Sequence, residues 1–375
     1  MTTTTHRLAI AGLAAVTAVL LTSCSADPEP EPEPTRSSTE APADAPSPTQ
    51  ALNPVTELSG EPSAVATGLD APWSVAFVGD TPIVSERDSA RILELAADGA
   101  PREIATIDGV RPNGEAGLLG IAVDVHRLFV YSTGENGNRI QRFDISGSPG
   151  SLSLGAPVTI LDDIPAASYH NGGRLAIGPD GMLYATVGDA GQRGAAQDLD
   201  SLSGKILRMN TDGAAPDDNP IPGSLVFSYG HRNPQGIAWA EDGTMFATEF
   251  GQDTWDELNI ITAGSNYGWP TVEGVAGRSE FVDPVQQWTP DAASPSGMTR
   301  IGGTLFLANL RGQVLRSVPV ADPATSTDYF ASEYGRFRDA ALAPDGSLWF
   351  VTNNTDGRGD PAADDDRIMR VEVTR

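Results

Sequence analysis

The sequence predicts an all-β protein, and within that class a six-bladed β-propeller. One kind of segment recurs about six times: a small apolar strand, a tight turn that is often Pro-Asp-Gly, a second strand, and a strand of the Ile-Leu-Arg type. The copies are roughly 40 to 65 residues apart, which is typical of propeller blades with insertions. Apolar residues alternate with period two within the strands, and no long amphipathic helix pattern competes with them.

Residues 1–23 are predicted to be a lipoprotein signal peptide. The apolar run from Leu8 to Leu21 is shorter than the about 20 residues that a membrane span needs. It leads into Leu21-Thr22-Ser23-Cys24, which resembles a bacterial lipoprotein box with Cys24 as the lipidated residue. Cys24 is the only cysteine, so no internal disulfide can form. We expect an exported chain, anchored by lipid to the outer face of the cell membrane; an ordinary cleaved signal with an incidental cysteine is the alternative.

Residues 24–57 are predicted to be a disordered linker. They are rich in Pro, Glu, Ala, Ser and Thr and include an alternating Pro-Glu run from Pro28 to Pro34. Such a segment buries too little apolar surface to fold. Alternating proline and glutamate also favour an extended, self-repelling chain, so the linker is expected to act as a stalk.

Residues 58–375 are predicted to form the propeller. Residues 52–69 precede the first full repeat and are expected to supply a strand that closes the last blade. A two-domain sandwich assembly is the alternative, but it would not require six similar segments. The six copies begin at Trp73, Leu119, Arg174, Gln235, Gly303 and Asp339.

The charge of the chain excludes one class of partner. It has 24 basic and 50 acidic residues, a formal net charge of −26. Such a charge argues against binding to nucleic acid, whose phosphates need lysine and arginine. It fits solubility outside the cell and the binding of cations such as calcium.

Three histidines remain as candidates for chemistry near neutral pH once His6 is assigned to the signal. They are His126, His170 and His231. His170 is the strongest candidate because it stands next to Tyr169 and before two glycines and a strand-like run. A structural histidine, satisfied by hydrogen bonds, is the alternative.

Polar residues stand at equivalent places, just before the innermost strands of several blades. We expect them to form a ring at one mouth of the channel, with Arg311 pointing to the same face from a later turn. Converging arginines repel one another unless an anion lies between them, and guanidinium groups suit carboxylates. The pattern predicts a ligand with several carboxylates; ordinary surface ion pairs are the alternative. The ring consists of Glu115, His170, Arg232, Asn233, Arg336 and Arg338.

A turn rich in oxygen ligands indicates calcium. It runs from Glu249 to Asn259 and is followed by the segment 266–270. Carboxylates and backbone carbonyls, including those of Gly251 and Gln252, are the ligands that calcium prefers. The spacing is not that of an EF-hand.

Several ordered motifs together resemble the soluble PQQ-dependent glucose/sorbosone (aldose sugar) dehydrogenase family. The likeness extends from about Gly68 to the C-terminus. The motifs are His170-Asn171-Gly172-Gly173-Arg174-Leu175, Gly188-Asp189-Ala190-Gly191, Ser203-Gly204-Lys205-Ile206-Leu207-Arg208, Gly230-His231-Arg232-Asn233-Pro234-Gln235-Gly236, Asp256-Glu257-Leu258-Asn259 and Asn266-Tyr267-Gly268-Trp269-Pro270.

The resemblance implies pyrroloquinoline quinone (PQQ) and calcium at the channel mouth, and oxidation of a sugar C1 hydroxyl to a lactone with an external electron acceptor. It implies that His170 is the general base. It also implies quinone and calcium-site contacts from Arg232 and Asn233, and cofactor carboxylate ligands at Arg336 and Arg338. The implied calcium ligands are the carbonyls of Gly251 and Gln252 at the catalytic ion, and Glu257 and Tyr267 at a structural ion.

The chain departs from the glucose-oxidising members at three of the matching positions. Tyr169 stands where they have Asp, Glu115 where they have Gln near the substrate, and Arg311 where a cofactor-contacting Lys is usual. The resemblance therefore does not imply glucose itself as the substrate. Two other functions fit a propeller of this kind: a calcium-dependent lactonase, and a non-catalytic module that binds a glycan or a partner.

Overall fold

The computed structural model describes residues 54–374. The predicted signal peptide, Cys24 and most of the linker lie outside the described residues. Within the described range the ordered contacts begin before the expected boundary at residue 58. The Gly303 N–H donates to the Pro54 carbonyl, and Thr56 is buried, with its N–H donating to Thr304 Oγ1 at 2.8 Å.

The strands form six antiparallel sheets, which confirms the predicted six-bladed propeller. The first strand, β1 (Leu58–Ala66), belongs to the last blade. Blade 1 contains β2 (Pro72–Val78), β3 (Thr81–Glu86), β4 (Arg91–Leu95) and β5 (Pro101–Thr106). Blade 2 contains β6 (Leu118–Asp124), β7 (Arg127–Gly134), β8 (Gly137–Ser146), the short β9 (Ser153–Leu154) and β10 (Val158–Ile164). Blade 3 contains β11 (Leu175–Ile177), β12 (Leu183–Val187), β13 (Lys205–Met209) and β14 (Val226–Tyr229).

The second half of the chain repeats this arrangement. Blade 4 contains β15 (Pro234–Trp239), β16 (Met245–Glu249), β17 (Asp256–Ile261) and β18 (Gln286–Trp288). Blade 5 contains β19 (Pro295–Ile301), β20 (Thr304–Asn309), β21 (Val314–Pro319) and β22 (Thr327–Tyr329). Blade 6 contains β23 (Phe337–Leu342), β24 (Leu348–Thr352) and β25 (Ile368–Val373), and β1 completes it.

The closing strand joins the two ends of the propeller. β1 pairs antiparallel with β25, with Leu58 opposite Val373 and Ala64 opposite Met369. The predicted role of residues 52–69 in closing the last blade is confirmed by this strand. This pairing gives the last blade four strands and closes the ring of sheets by hydrogen bonds between β1 and β25.

The innermost strands surround the channel. β2, β6, β11, β15, β19 and β23 each contact the innermost strands of the two neighbouring blades. Arg174 and Asp339 pair across the channel at 3.1 Å. Gly297, in the neighbouring blade, leaves room for the Asp339 side chain, because a Cβ on Gly297 would lie 1.8 Å from the Asp339 carboxylate.

Buried apolar side chains between adjacent blades form the core. Phe129, Phe246, Phe306 and Phe350 are almost completely buried in it. The only helical segment in residues 54–374 is a short 3-10 turn, Arg193–Gln197. No helix in this range has the length and hydrophobicity that a membrane span requires.

Candidate active site

His170 lies at the mouth of the channel, in the segment that leads into β11. Its backbone has φ of 56°, a left-handed conformation that is uncommon for residues other than glycine. Buried Asn171 fixes the segment, because its side chain bonds both the N–H and the carbonyl of Ala167. Gly172 also has positive φ, and a Cβ there would lie 2.6 Å from the Thr186 carbonyl. The glycine that follows His170-Asn171 is therefore required by the backbone.

A buried carboxylate orients the imidazole. His170 Nδ1 lies 2.8 Å from Oδ1 of Asp189. Asp189 lies in the connection between β12 and β13. Asp189 also accepts hydrogen bonds from the Gly191 N–H and the Trp269 indole, each at 2.8 Å. Burial alone would raise the pKa of Asp189, but these hydrogen bonds, led by that of His170, hold it below its usual range.

The free ring nitrogen of His170 is the atom available for chemistry. With Nδ1 engaged by Asp189, Nε2 has no hydrogen-bond partner among the described residues, and the side chain is 15 % exposed. The arrangement fixes the orientation of the ring and leaves one nitrogen able to exchange a proton with a ligand at the mouth.

The other two candidate histidines are placed differently. His126 is exposed in the turn between β6 and β7. His231 is completely buried, its Nε2 bonds Ser228 Oγ and its Nδ1 bonds Glu249, each at 2.8 Å. Both nitrogens of His231 are therefore used by the protein itself.

Several buried hydrogen-bond donors near His170 have no partner. Asn233 is completely buried; its Oδ1 accepts the Gly172 N–H at 3.0 Å, while its Nδ2 is unpaired. Arg232 Nη1 donates to the Phe250 carbonyl at 3.0 Å, and its Nε is unpaired. Arg336 Nε and Asn353 Nδ2 are unpaired as well. Because buried donors are normally satisfied, this set fits an acceptor-rich, anionic ligand.

The arginines of blade 6 add positive charge at the same place. Arg338 is buried, with Nε donating to Asn353 at 2.6 Å and Nη1 to Gln235 at 3.1 Å. Arg336 pairs with the buried Asp356 at 3.4 Å. Burial lowers the pKa of both guanidinium groups, and the negative charge of Asp356 offsets this only in part.

Arg311 is not part of this cluster. It lies in the turn between β20 and β21, where its 60 % exposed side chain pairs with Asp291. Asp291 therefore neutralises the charge of Arg311, which was expected to converge with Arg232, Arg336 and Arg338. The role of Arg311 toward a cofactor stays a prediction.

Glu115 and Tyr169 flank the histidine. Glu115 Oε2 accepts the backbone N–H of His170 at 3.0 Å. The Tyr169 ring is 46 % exposed and meets the imidazole edge to face, with the ring centroids 4.6 Å apart. Glu115 therefore contacts the backbone of His170, and Tyr169 contacts its ring.

Gly251 and Gln252 lie in the connection between β16 and β17. Asp256 and Glu273 hold this turn: the Gly251 N–H donates to Asp256 at 2.8 Å, and the Gln252 N–H donates to Glu273 at 2.6 Å. A Cβ on Gly251 would lie 1.7 Å from the Trp255 carbonyl, so only glycine fits. The two carboxylates accept hydrogen bonds from the N–H groups of the turn and do not occupy its carbonyl oxygens.

Glu257 and Tyr267 line a small cavity of about 10 Å³, room for one water molecule or ion. Arg232, Glu249, Gly251 and Glu273 also line it. Burial, followed by the charge of Glu249, raises the pKa of Glu257 well above its usual range. The Tyr267 hydroxyl donates to the Ile260 carbonyl and accepts the Thr262 N–H, so only its backbone remains for a metal. No group of three or more His, Cys, Asp or Glu in residues 54–374 has a metal-binding arrangement. A calcium site here would depend on backbone carbonyls.

A family model supplies the deciding comparison. The model for Glucose / Sorbosone dehydrogenase matches residues 69–368. The chain belongs to this family. The predicted enzyme class, an oxidoreductase, is confirmed by this membership, and the predicted resemblance is confirmed with it.

Two curated relatives carry names that agree with the family. An aldose sugar dehydrogenase of Escherichia coli K12 is 30 % identical over 335 residues, which are 77 % of this chain and 89 % of the relative. Quinoprotein glucose dehydrogenase B of Acinetobacter calcoaceticus is 30 % identical over 258 residues, 58 % of this chain and 54 % of that protein.

Solved structures agree on the fold. The PQQ-bound aldose sugar dehydrogenase of Streptomyces coelicolor is 47 % identical, covers 85 % of this chain and 98 % of its own, and has a TM-score of 0.81. A gluconolactonase of Xanthomonas campestris is only 13 % identical, with a TM-score of 0.51, covering 86 % of this chain and 97 % of its own, and shares the fold alone.

Several site residues were missed by the sequence analysis. Asp189 and Trp269 stood within recognised motifs but received no role, and the signal for Asp189 was its place between two glycines. Arg174 likewise stood within a recognised motif without a role. Arg87 and Asp356 have buried side chains, but nothing in their local sequence distinguishes them from structural residues.

Proposed function

We propose that the protein oxidises an aldose sugar at C1 to the lactone, using PQQ and calcium, with His170 as the general base. The observation that carries this proposal is the His170–Asp189 pair, with Nε2 free at a mouth lined by unpaired buried donors. A base held by a carboxylate and open to the substrate is what removal of a hydroxyl proton requires.

His170 would accept the C1 hydroxyl proton at Nε2. Asp189 keeps the ring in one orientation and stabilises the positive charge that the imidazole gains. The bound quinone would supply the electron chemistry by accepting hydride from C1. Exposed Tyr169 and half-buried Glu115 are the residues proposed to contact the sugar.

The buried donors fit the cofactor. PQQ carries several carboxylates and carbonyl oxygens, and Arg232, Asn233, Arg336 and Arg338 offer charged or amide donors that the protein leaves partly unused. Arg311 would contribute only by leaving Asp291. A charge-assisted contact of this type contributes about 1.5–3 kcal/mol.

Calcium is proposed at two places. The carbonyls of Gly251 and Gln252 would hold the ion at the mouth, since their turn is fixed by Asp256 and Glu273. Glu257 and the backbone of Tyr267 would hold a second ion in the small cavity. Burial raises the pKa of Glu257, so cation binding there should weaken as the pH falls.

The location is also a proposal. The signal and Cys24 would place the propeller outside the cell on a lipid anchor, where an external electron acceptor removes the electrons. Detergent partitioning of wild type and Cys24→Ser tests the anchor. Equal release of both proteins into the aqueous phase would remove it.

Reconstitution tests the activity. Metal-free apo-protein is mixed with PQQ and calcium, and a panel of aldoses is scanned with an artificial electron acceptor. Dye reduction that needs both additions supports the proposal. Lactone hydrolysis without dye reduction would favour a lactonase, and binding without either activity would favour a glycan-binding module.

A further inference from the structure

An ion pair spans the mouth of the channel between blade 2 and blade 6. Arg358, in the connection between β24 and β25, donates from Nη1 to Glu115 Oε1 at 3.1 Å. The two residues are 243 positions apart in the chain. Their side chains are 51 % and 20 % exposed, so the pair faces the solvent that a ligand must cross.

The glutamate end of the pair reaches the proposed base. Glu115 uses Oε2 to accept the backbone N–H of His170 at 3.0 Å. That residue has positive φ, so its backbone conformation depends on contacts that hold it. Glu115 supplies one of these contacts, and the Ala190 N–H, which donates to the His170 carbonyl at 3.0 Å, supplies another.

The arginine end reaches a cofactor arginine. The backbone N–H of Arg358 donates to Asp356 Oδ1 at 3.0 Å, and Asp356 Oδ2 pairs with Arg336 at 3.4 Å. Asp356 is nearly fully buried. An unbroken series of polar contacts therefore leads from His170 through Glu115, Arg358 and Asp356 to Arg336.

The two charges act on the arginine cluster with opposite sign. Burial has the largest influence on the pKa of Arg232 and Arg338 and lowers both, while the negative charge of Glu115 raises them. At Arg336, burial again comes first, and the positive charge of Arg358 lowers the pKa further. Glu115 thus weakens the positive potential at the mouth, and Arg358 strengthens it.

Resting on the proposed function, we propose that Arg358 is a positioning residue. Through Glu115 it holds the backbone of His170, and with Glu115 it sets the positive potential that receives the anionic cofactor. Both residues support turnover. Arg358 raises the affinity for the anionic cofactor, whereas Glu115 lowers it. An ordinary exposed ion pair would have neither effect, since such pairs contribute about 0–1 kcal/mol to stability alone.

The test uses the full chain with three variants at the pair: Arg358→Ala, Arg358→Lys and Glu115→Gln. Arg370 and Asp345 form an exposed ion pair at 3.0 Å away from the mouth, so Arg370→Ala and Asp345→Asn are controls with matched charge changes. PQQ affinity of the apo-protein is measured by absorbance titration at low and high salt. Turnover is measured at saturating PQQ and calcium.

Arg358→Ala is expected to weaken PQQ binding at low salt by about two- to fivefold, and Glu115→Gln to strengthen it by a similar factor. Both differences should shrink at high salt because the charges are exposed. Arg358→Ala should lower kcat, because Glu115 loses the partner that holds it, and Glu115→Gln should lower kcat less, because its amide oxygen can still accept the His170 N–H. Arg358→Lys should restore the affinity but only part of kcat, because an ammonium keeps the charge and not the geometry.

Three results would overturn the inference: affinity that moves in the same direction in both variants, no change in either, or equal changes in the controls. A melting temperature within a degree or two of wild type shows that the variants are folded. If wild type itself binds no PQQ, the proposed function fails and the inference with it. If wild type binds and turns over while the variants match it, only the inference fails.

Discussion

The molecule contains two imidazole–carboxylate pairs, and they differ in one respect that decides their roles. His170 bonds Asp189 and His231 bonds Glu249, each through Nδ1 at 2.8 Å, and both carboxylates are buried. The second nitrogen of His231 is taken by Ser228, and its ring stacks on Tyr267. The second nitrogen of His170 is free at the mouth. A histidine–carboxylate pair is therefore not by itself a catalytic signal; the state of the remaining nitrogen is.

The largest effect should come from exchanging the two histidines for glutamine. His170→Gln is expected to lower turnover by roughly 10²–10⁴-fold, the contribution of a well-placed base, while the melting temperature stays within a degree or two. His231→Gln should instead lower the melting temperature, because Ser228 and Glu249 lose a buried partner. Turnover per folded molecule and thermal unfolding are the two measurements.

The opposite pattern would reverse the assignment. If His170→Gln melts early while its folded fraction turns over normally, His170 is part of the scaffold. If His231→Gln loses turnover at unchanged stability, the closed pair takes part in the reaction.

The carboxylates should show a smaller version of the same contrast. Asp189→Asn is expected to lower turnover by roughly 10- to 100-fold, the range typical of a residue that orients a functional histidine. Glu249→Gln should lower stability by about 1–3 kcal/mol, because His231 loses a charged buried partner and the bond from the Arg232 N–H weakens. Its turnover per folded molecule should fall less than that of Asp189→Asn. Equal losses of turnover in the two variants would contradict the contrast.

Asp189 should also leave a signature in acid. The pKa of Asp189 is lower in the folded protein than in the unfolded chain. Its negative charge therefore stabilises the fold at any pH above the unfolded-state pKa. This stabilisation is lost as the pH falls through the folded-state pKa. Wild type should therefore lose more stability than Asp189→Asn between about pH 5 and pH 2. Denaturant unfolding at several pH values measures the difference.

The difference between the two pairs could not be read from the sequence. The six repeats are local signals, and they correctly predicted the fold and the closing strand; the glycine after Asn171 is one that the backbone requires. Each histidine pairs with a carboxylate 18 or 19 positions further along the chain, and no local pattern marks either pair. Trp269, which also bonds Asp189, is 80 positions away from it. Arg311 shows the same limit, because its place in a turn does not predict that its exposed side chain pairs with Asp291.

Two buried arginines differ in the same way as the two histidines: one keeps an unpaired donor and the other does not. Arg336 has an unpaired Nε at the mouth, whereas the equally buried Arg208 is satisfied by Asp180, Asp218 and Asn219. Arg336→Ala and Arg338→Ala are each expected to weaken PQQ binding by about 10-fold or more, through loss of a charge-assisted contact, without unfolding the protein. Arg208→Ala should lower stability and leave PQQ affinity unchanged. Absorbance titration of the apo-proteins measures this; unchanged affinity in both mouth variants would mean that these arginines only balance surface charge.

The smallest effect is expected at Lys205, which lies between the two pairs. The N–H of the preceding Gly204 donates to the Gly188 carbonyl, next to Asp189, and the Gly204 carbonyl accepts the His231 N–H. The start of β13 therefore contacts the segments of both histidine–carboxylate pairs. Lys205 is completely buried, and its ammonium donates to the carbonyls of Ala195, Ala196 and Ser203 at 2.6–3.0 Å. Its charge is therefore enclosed by the protein, as in the region of His231.

Burial lowers the pKa of Lys205 to about 8, below the value of about 10.4 in an unfolded chain. Between these values the unfolded state binds more protons, so stability rises with pH. Wild type should gain up to about 1 kcal/mol from pH 8 to pH 9 relative to Lys205→Met, which has no ammonium to titrate. Urea unfolding at the two pH values tests this, and equal slopes would show that the ammonium keeps its proton. Lys205→Met should turn over normally per folded molecule, because no unpaired atom of Lys205 faces the mouth; a loss of turnover at unchanged stability would show that the closed region also acts on the reaction.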